Sequence, residues 1–299
     1  MALIWRLIAG YGRISLKICV IGGCGFLGSA ICEEALKQNI DVDVVSLLVT
    51  GQLWWDIEKE GSDSPTIWEG NPGVYISDID GFSYGGYDGV INCAWVRTPS
   101  YVDAFKEATG EVLTLIREME IKTFDKMVQI SSAKANVPYE NSYGALKAAC
   151  DMACAGAISK GLNISIMKPW NMFGPRQPAP QYKAFLPMLL HNWINGNPFT
   201  VYSGHTTLNF EYVKDVARAS INCVSDVPTI RKVWSVSTED LIELVRSLGI
   251  DGEIVIDKER NKIPDISDED RFRDIDNEFI SRLEETVDWT LWWESINVC

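Results

Sequence analysis

Short apolar runs alternate with longer amphipathic stretches over the first half of the chain. The apolar runs are rich in Val and Ile, and they predict strands at residues 17–21, 41–49, 74–76, 89–94, 126–130 and 163–167. The stretches that repeat apolar residues at helical spacing predict helices at 26–39, 101–120 and 142–160. This alternation predicts βαβ units, and hence an α/β fold with a mostly parallel sheet covered on both faces.

The pattern changes after Pro169. Residues 170–198 are rich in proline, asparagine and aromatic side chains, and helices are predicted at 185–195, 215–224 and 238–247. The charged tail at 251–285 keeps Ile and Phe residues, which is typical of ordered surface rather than of disorder. The sequence therefore predicts a larger unit over 15–170 and a smaller lobe over 171–299, with part of 206–236 returning to the larger unit.

Composition narrows the classes of partner. The chain has 299 residues and a formal net charge of −14, whereas nucleic-acid binding needs clustered Lys and Arg, so nucleic acid is not an expected partner. Eight cysteines without a Cys-x-x-Cys pair and only two histidines predict reduced thiols in a cytoplasmic protein and no metal site. The apolar start is interrupted by Arg6 and is shorter than the about 20 residues that span a bilayer, so no membrane association is expected.

A glycine-rich turn follows the first predicted strand. Gly23, Gly25 and Gly28 satisfy the spacing G-x-G-x-x-G, and Gly22 with the last two satisfies G-x-x-G-x-x-G. Glycine is needed where the chain turns tightly, where the backbone approaches a pyrophosphate, and where a helix packs closely on a sheet. Because this turn lies between a strand and a helix, as the motif requires, it predicts a dinucleotide-binding site.

The end of the second strand separates NAD from NADP in such sites. A carboxylate there bonds the ribose hydroxyls of NAD, whereas an arginine accommodates the 2′-phosphate of NADP. This chain has Ser46 at that end, with Asp41 and Asp43 too early in the strand and no arginine beside it. The residues therefore leave NAD and NADP open.

Tyr143 and Lys147 open the helix after the fifth predicted strand, four residues apart on one helical face. Tyrosine has a reference pKa of about 10, and a neighbouring ammonium favours the phenolate and brings that pKa toward neutrality. Ser131 and Ser132 end the preceding strand, at the same edge of the sheet as the glycine turn. The three pieces together predict a general acid/base site beside the dinucleotide, with a hydroxyl available to bond a reacting oxygen.

These motifs resemble the extended short-chain dehydrogenase/reductase family, in its NAD-dependent nucleotide-sugar epimerase/dehydratase branch, over roughly residues 17–225. The similar segments are the glycine turn at 22–28, the adenine-contacting segment at 77–79, the nicotinamide side at 92–95, and the substrate side at 168–176 and 209–215. The resemblance implies a Rossmann-type doubly wound sheet over 15–170 and a substrate-binding lobe over 171–299. It also favours NAD as the cofactor.

The resemblance implies roles for individual residues. Ser132, Tyr143 and Lys147 fall on the catalytic triad of the family. The implied cofactor contacts are Gly22, Gly25, Phe26, Leu27, Gly28, Ser46, Asp78, Ile79, Ala94, Trp95, Tyr143, Lys147 and Pro169. The implied substrate contacts are Asn171, Arg176 and Tyr202.

Some positions depart from the family pattern. Ser46 replaces the usual acid, Glu107 stands where asparagine is common, and Leu208 replaces an arginine that often clamps the pyrophosphate. After the hydroxyl residue the chain has Ala133 and Lys134, where 4,6-dehydratases of the branch have an Asp-Glu pair. Sugar 4,6-dehydration is therefore not expected.

The leading hypothesis is an NAD(P)-dependent epimerase or ketoreductase that acts on a nucleotide-linked sugar, with a homodimer as one expected assembly. Two alternatives stay open, because one fold hosts many functions. The first is a reductase of a non-sugar ketone, which the absence of the arginine at position 208 keeps open. The second is a non-catalytic dinucleotide-binding protein, against which the intact Tyr143 and Lys147 argue.

Overall fold

The computed structural model describes residues 16–46, 73–76, 82–95, 100–177, 184–201, 207–256 and 275–297. The chain divides into two compact units. The first comprises Met1–Met167 and Ser220–Pro228, and the second comprises Lys168–Ala219 and Thr229–Cys299. The chain thus enters the second unit after Met167, three residues before the boundary expected from the sequence, and a short later segment belongs to the first unit.

The first unit is built on a six-stranded sheet. Its strands are β1 Lys17–Ile21, β2 Asp41–Ser46, β3 Gly73–Ile76, β4 Gly89–Asn92, β5 Met127–Ile130 and β6 Ile164–Met167. All neighbours are parallel, in the order β3-β2-β1-β4-β5-β6. In sheets of this order the ligand lies beyond the carboxyl ends of the strands, where the order reverses between β1 and β4. The predicted Rossmann-type α/β fold is confirmed.

In the described part of the unit three helices follow strands of this sheet, α1 at Phe26–Lys37, α2 at Tyr101–Glu120 and α3 at Ser142–Ser159. A 3-10 turn at Ala133–Asn136 lies between β5 and α3. α2 begins where the hydroxyl of Ser100 accepts a hydrogen bond from the Asp103 amide. α2 and α3 pack on the sheet face formed by Cys19, Val90 and Met127. The buried stripe of α2 is Ala104, Ala108, Val112, Leu115, Ile116 and Met119.

The second unit carries two small sheets. Its strands are β7 Asn171–Phe173, β8 Phe199–Val201, β9 Thr207–Tyr212, β10 Trp234–Ser237 and β11 Ile254–Ile256. They pair as β10-β9-β7 and β11-β8. Its helices are α4 Phe185–Ile194, the first part of α5 Val213–Val224, α6 Thr238–Ser247 and α7 Asn277–Asn297, and α5 ends in the segment Ser220–Pro228 of the first unit. The core centres on Phe173, whose ring contacts those of Phe210, Tyr212, Trp234 and Phe279.

The structure shortens one predicted strand of the site. The sequence predicts β4 to extend to residue 94, whereas the strand ends at Asn92. The reason is local, because the side-chain oxygen of Asn92 accepts a hydrogen bond from the Ala94 amide at 3.1 Å and turns the chain. The side-chain amide of Asn92 donates to Gln129 on β5 at 3.0 Å, which fixes the end of the strand.

Candidate active site

The glycine turn is packed too tightly for side chains. Gly22 has φ +74°, and a Cβ built there would lie 3.0 Å from both the nitrogen and the Cα of Ala94. A Cβ at Gly28 would lie 2.2 Å from the carbonyl oxygen of Gly22, a distance that no real contact allows. Gly22 therefore permits the turn to approach the end of β4, and Gly28 permits α1 to pack on the turn.

The start of α1 points its amide groups out of this turn. Gly25 is the N-cap residue, no described side chain caps it, and the first helical turn carries no acidic residue. Phe26 and Leu27 are buried at the first turn and anchor the helix in the unit. An uncapped helix N-terminus in a glycine turn offers N–H donors and a positive dipole to an anion. The residues present therefore fit a dinucleotide pyrophosphate.

In sites of this kind the residue at the end of β2 sets the preference between NAD and NADP. Ser46 is the last residue of β2 and pairs with Ile76 of β3, but its side chain lies outside the described part. Asp43, three residues before the strand end, accepts a hydrogen bond from the Tyr87 hydroxyl at 2.7 Å and pairs with Lys17 at 2.9 Å. Its carboxylate thus has protein partners at the middle of the strand. The expected adenine contacts Asp78 and Ile79 lie outside the described residues.

Two serines end β5. The Ser131 amide donates to the Met167 carbonyl of β6 at 2.7 Å, which keeps this serine in the sheet. The Ser131 hydroxyl is buried and has no hydrogen-bond partner among the described residues. The Ser132 hydroxyl accepts a bond from the Lys134 amide at 3.2 Å and begins the 3-10 turn. Ser132 thus marks the point where the chain leaves the sheet.

Gly144 sets the approach of α3 to this turn. A Cβ at Gly144 would lie 2.6 Å from the carbonyl oxygen of Lys134, so only glycine allows the first turn of α3 to pack there. The side chain of Asn141 caps the helix and accepts a bond from the Gly144 amide at 2.8 Å. The first turn of α3, which carries Tyr143, is therefore packed against the turn that begins at Ser132.

Lys147 is a buried cation. Its side chain is 5% exposed, and its ammonium donates a hydrogen bond to the carbonyl oxygen of Ile130 at 2.9 Å. Burial lowers the pKa of Lys147 below its usual value, because removal of water disfavours the charged form, and nearby Cys150 and Cys93 act in the opposite direction. Burial also raises the pKa of the Cys93 thiol to about 12, so this thiol stays protonated near neutral pH.

Trp95 connects the end of β4 to the two residues of α3. Its ring meets that of Tyr143 edge to face, with centroids 4.6 Å apart and an angle of 70° between the planes. The ammonium of Lys147 lies 4.6 Å from the centroid of the same indole. Tyr143 is 39% exposed, so part of its side chain faces solvent. The structure thus brings Trp95, Tyr143 and Lys147 together at the edge of the sheet that carries the glycine turn.

Most of the chain matches one known protein family. Residues 18–233 match the profile of the NAD dependent epimerase/dehydratase family, which covers most of the chain. The chain belongs to this family. The resemblance expected from the motifs is confirmed, and so is membership in a family of NAD-dependent enzymes.

Curated relatives in the family differ in substrate. A UDP-N-acetyl-alpha-D-glucosaminuronate decarboxylase of Bacillus cytotoxicus is 23% identical over 252 residues, which is 75% of this chain and 76% of the relative. A decarboxylating sterol-4-alpha-carboxylate 3-dehydrogenase of Bos taurus is 24% identical over 229 residues, which is 69% of this chain and 59% of the relative. Sugar and non-sugar substrates therefore both occur among proteins similar to this one.

Solved structures of family members share the fold. A UDP-glucose-4-epimerase from Stenotrophomonas maltophila, solved with bound NAD and formylated UDP-arabinopyranose, superposes with a TM-score of 0.76. It is 16% identical, and the match covers 94% of this chain and 99% of that one. The superposition supports the fold alone at this identity.

Two of the three residues expected to contact substrate are described, and both lie in the second unit. Asn171, on β7, is exposed and donates from its side-chain amide to the Asn209 carbonyl of β9 at 3.0 Å. Arg176 is buried and adopts φ +68°, and Pro169 is buried. Tyr202 lies outside the described residues. The described hydrogen-bond partner of Asn171, Asn209, is thus a residue of the second unit itself.

Sequence reasoning missed one buried carboxylate in the second unit. Glu211, on β9, is fully buried, and it accepts a hydrogen bond from the Trp170 amide at 2.6 Å. Arg231 pairs with it at 2.8 Å and also donates to the carbonyl of Lys168. Burial raises the pKa of Glu211, while the Trp170 amide and the Arg231 charge lower it. The signal available in the sequence for this buried carboxylate was an acidic residue, Glu211, inside an apolar strand pattern.

Two further expectations concern metals and membranes. Within the described ranges no cluster of three or more His, Cys, Asp or Glu side chains has the arrangement of a metal site. In the same part of the chain no helix combines the length and apolar character that crossing a bilayer requires.

Proposed function

We propose that the protein is an NAD-dependent epimerase or ketoreductase of a nucleotide-linked sugar, with Ser132, Tyr143 and Lys147 as its reacting groups. The observation that carries the proposal is a continuous run of contacts in the first unit. The glycine turn packs against the backbone of Ala94, and the next residue, Trp95, touches both Tyr143 and Lys147. A dinucleotide bound at the turn would lie at the same sheet edge as the acid/base pair.

The cofactor would be held by the glycine turn and the residues that follow it. Gly22, Gly25 and Gly28 leave room for the pyrophosphate, and the amides of Phe26 and Leu27 are its proposed donors. Bound NAD supplies the hydride acceptor that amino-acid side chains lack. The further proposed contacts are Ser46, Asp78, Ile79, Ala94, Trp95, Tyr143, Lys147 and Pro169.

The protein's own groups would move the proton. Tyr143 accepts the proton of a sugar hydroxyl as the carbon loses its hydride, and it returns a proton in the reverse step. Lys147, as an ammonium, favours the phenolate and would also hold the nicotinamide ribose, while Ser132 bonds the reacting oxygen. Because Lys147 is buried, its charge acts on its neighbours through little water, which strengthens its effect on the phenol.

Substrate recognition is proposed for the second unit. The candidate contacts to the nucleotide sugar are Asn171, Arg176 and Tyr202. We assign the first two to the phosphates of the nucleotide, because both side chains can donate hydrogen bonds. A homodimer is proposed as the assembly. A cytoplasmic location is proposed because the described cysteines are all free thiols, as expected of a reducing compartment.

The test is incubation of the protein and NAD with UDP-, dTDP-, GDP- and CDP-hexoses, followed by mass spectrometry and chromatographic separation of isomers. An epimerase converts its substrate without net change in NAD, whereas a ketoreductase, run in reverse on the sugar hydroxyl, converts NAD to NADH stoichiometrically. Either outcome with one of these sugars supports the proposal. Binding of NAD without conversion of any member of the panel would contradict it.

We predict that none of these sugars undergoes 4,6-dehydration. That reaction needs an acid and a base besides the tyrosine, to remove the C5 proton and expel the C6 hydroxyl. After Ser132 the chain has Ala133, which carries no transferable proton, and Lys134, whose side chain is exposed and lies near Glu140. Mass spectrometry of the same incubations checks this, and a product lighter by one water would refute it.

We predict weak discrimination between NAD and NADP, with NAD preferred. Ser46 neither repels a 2′-phosphate as a carboxylate does nor pairs with it as arginine does. Calorimetric titration should give affinities that differ by less than roughly a thousandfold, about 4 kcal/mol. Ser46→Asp is the matched variant and should widen the preference for NAD. An unchanged ratio in that variant would place the ribose-binding residue elsewhere.

A second candidate function is oxidation of a non-sugar carbinol. It is favoured by the similarity to a sterol-4-alpha-carboxylate 3-dehydrogenase and by Leu208, which cannot clamp a pyrophosphate as arginine does. The names of both relatives described above include decarboxylation, so UDP-N-acetyl-alpha-D-glucosaminuronate and a 3-hydroxy-4-carboxysterol belong in the substrate panel. A product lighter by carbon dioxide from the sterol alone would favour this candidate over the sugar.

A further inference from the structure

Trp95 stands between the two residues of α3 that carry the proposed chemistry. The edge-to-face contact of its ring with Tyr143 has a centroid distance of 4.6 Å, and the Lys147 ammonium lies 4.6 Å from the indole centroid. Tyr143 and Lys147 belong to one helix, whereas Trp95 follows β4. One side chain from a different element therefore contacts both.

We propose that Trp95 is a positioning residue, which holds the Lys147 ammonium beside Tyr143 and thereby sets the pH at which the phenol ionises. This role goes beyond contact with the cofactor, and it rests on the proposed function, in which Tyr143 is the acid/base group. It also explains why a bulky aromatic side chain, Trp95, follows the carboxyl end of β4, which is the end at which ligands bind to such sheets.

The indole face adds to a small set of groups that favour the Lys147 ammonium. Lys147 is almost completely buried, and of its three N–H groups the one hydrogen bond described is to the Ile130 carbonyl. The titratable groups that face it are Cys93 from the end of β4, Cys150 and Asp151 from α3, and Glu111 from α2. The face of an indole carries negative charge density and attracts a cation most strongly where water is excluded.

The sign of the effect follows from this arrangement. Burial favours the neutral amine, and the indole face favours the ammonium, so loss of the indole lowers the pKa of Lys147 further. A lysine that loses its proton at lower pH no longer stabilises the Tyr143 phenolate when the phenol titrates. The pKa of Tyr143 should therefore rise when the face of Trp95 is removed, by about one pH unit, the size of a buried cation–π contact.

The experiment follows the Cζ resonance of Tyr143 in protein labelled with ¹³C-tyrosine, assigned by its loss in Tyr143→Phe. In the native protein we expect a titration midpoint below the reference of about 10. Trp95→Leu should raise the midpoint by about one pH unit, and Trp95→Phe, which restores an aromatic face, should return it most of the way. Trp292→Leu, at a partly exposed tryptophan of α7, is the matched control and should leave the midpoint unchanged.

A second substitution separates charge from packing. A tetrafluorinated tryptophan placed at position 95 keeps the volume of the ring but removes the negative charge of its face, so it should shift the midpoint as Trp95→Leu does even if the leucine variant folds poorly. Equal midpoints in native and fluorinated protein would overturn the proposal and leave Trp95 as a packing residue. This outcome differs from failure of the proposed function, in which Tyr143→Phe retains turnover whatever the titration shows.

Discussion

Replacement of Tyr143 by phenylalanine should lower kcat by about 10²–10⁴-fold while the affinity for NAD stays nearly unchanged. The substitution deletes one hydroxyl and keeps the ring, so the contact with Trp95 at 4.6 Å is preserved. The loss therefore reports the proton-transfer role and not a rearranged site. The measurement pairs steady-state rates, on the sugar that the substrate panel identifies, with calorimetric titration of NAD.

Tyr139→Phe is the matched control for this prediction. Tyr139 is 85% exposed and lies in the loop just before α3, so the same chemical change there removes no proton donor from the site. Its kcat should equal that of the native protein. If both tyrosine variants turn over at the native rate, Tyr143 is not the acid/base group and the assignment of the site is wrong.

Gly28→Ala should weaken NAD binding by tenfold or more, which corresponds to about 1.4 kcal/mol or more. The new methyl group would lie 2.2 Å from the carbonyl oxygen of Gly22 and 2.7 Å from the Cα of Gly23, so α1 must move away from the turn. Because both obstacles are backbone atoms, no side-chain rotation relieves the clash, and overpacking of this kind destabilises by about 1–3 kcal/mol. Thermal unfolding and NAD titration measure the two effects.

The control is the same substitution at Gly110, in the middle of α2. A Cβ there meets no atom within 4 Å, and helical alanine costs less conformational entropy than glycine, so Gly110→Ala should stabilise by about 0.4–1 kcal/mol and leave NAD affinity unchanged. The two substitutions should therefore change the free energy of unfolding in opposite directions, which tests the close packing at Gly28 directly. Normal NAD affinity in a folded Gly28→Ala protein would mean that the cofactor does not lie on this turn.

The sequence was sufficient for the first unit because its elements are long and locally determined. α2 was predicted at its observed bounds, since an apolar stripe at helical spacing runs its length and Ser100 caps its start. Parallel strands buried on both faces read as continuous Val and Ile runs, and the glycine turn between β1 and α1 has a spacing that sequence alone reveals. These signals also carried the family assignment.

The second unit was less predictable. Its strands β7, β8 and β11 have three residues each, too few for a period of two to emerge. α7 was missed because its charged residues obscure the apolar face that buries Phe279, Leu283 and Val287. These elements form because the aromatic core around Phe173 covers them, and such packing is visible only when the partners are known.

By itself the sequence determined the fold class, the glycine turn and the candidate triad, because each depends on the order and spacing of residue types along the chain. Only the tertiary structure decided that Trp95 meets Tyr143 and Lys147, that Gly144 fits the Lys134 carbonyl, and that Glu211 is buried against Arg231. Such contacts join residues far apart in the chain or from different elements. The strength of these contacts depends on the exclusion of water and on the fit of the packed groups. Neither can be inferred from the spacing of residues along the chain.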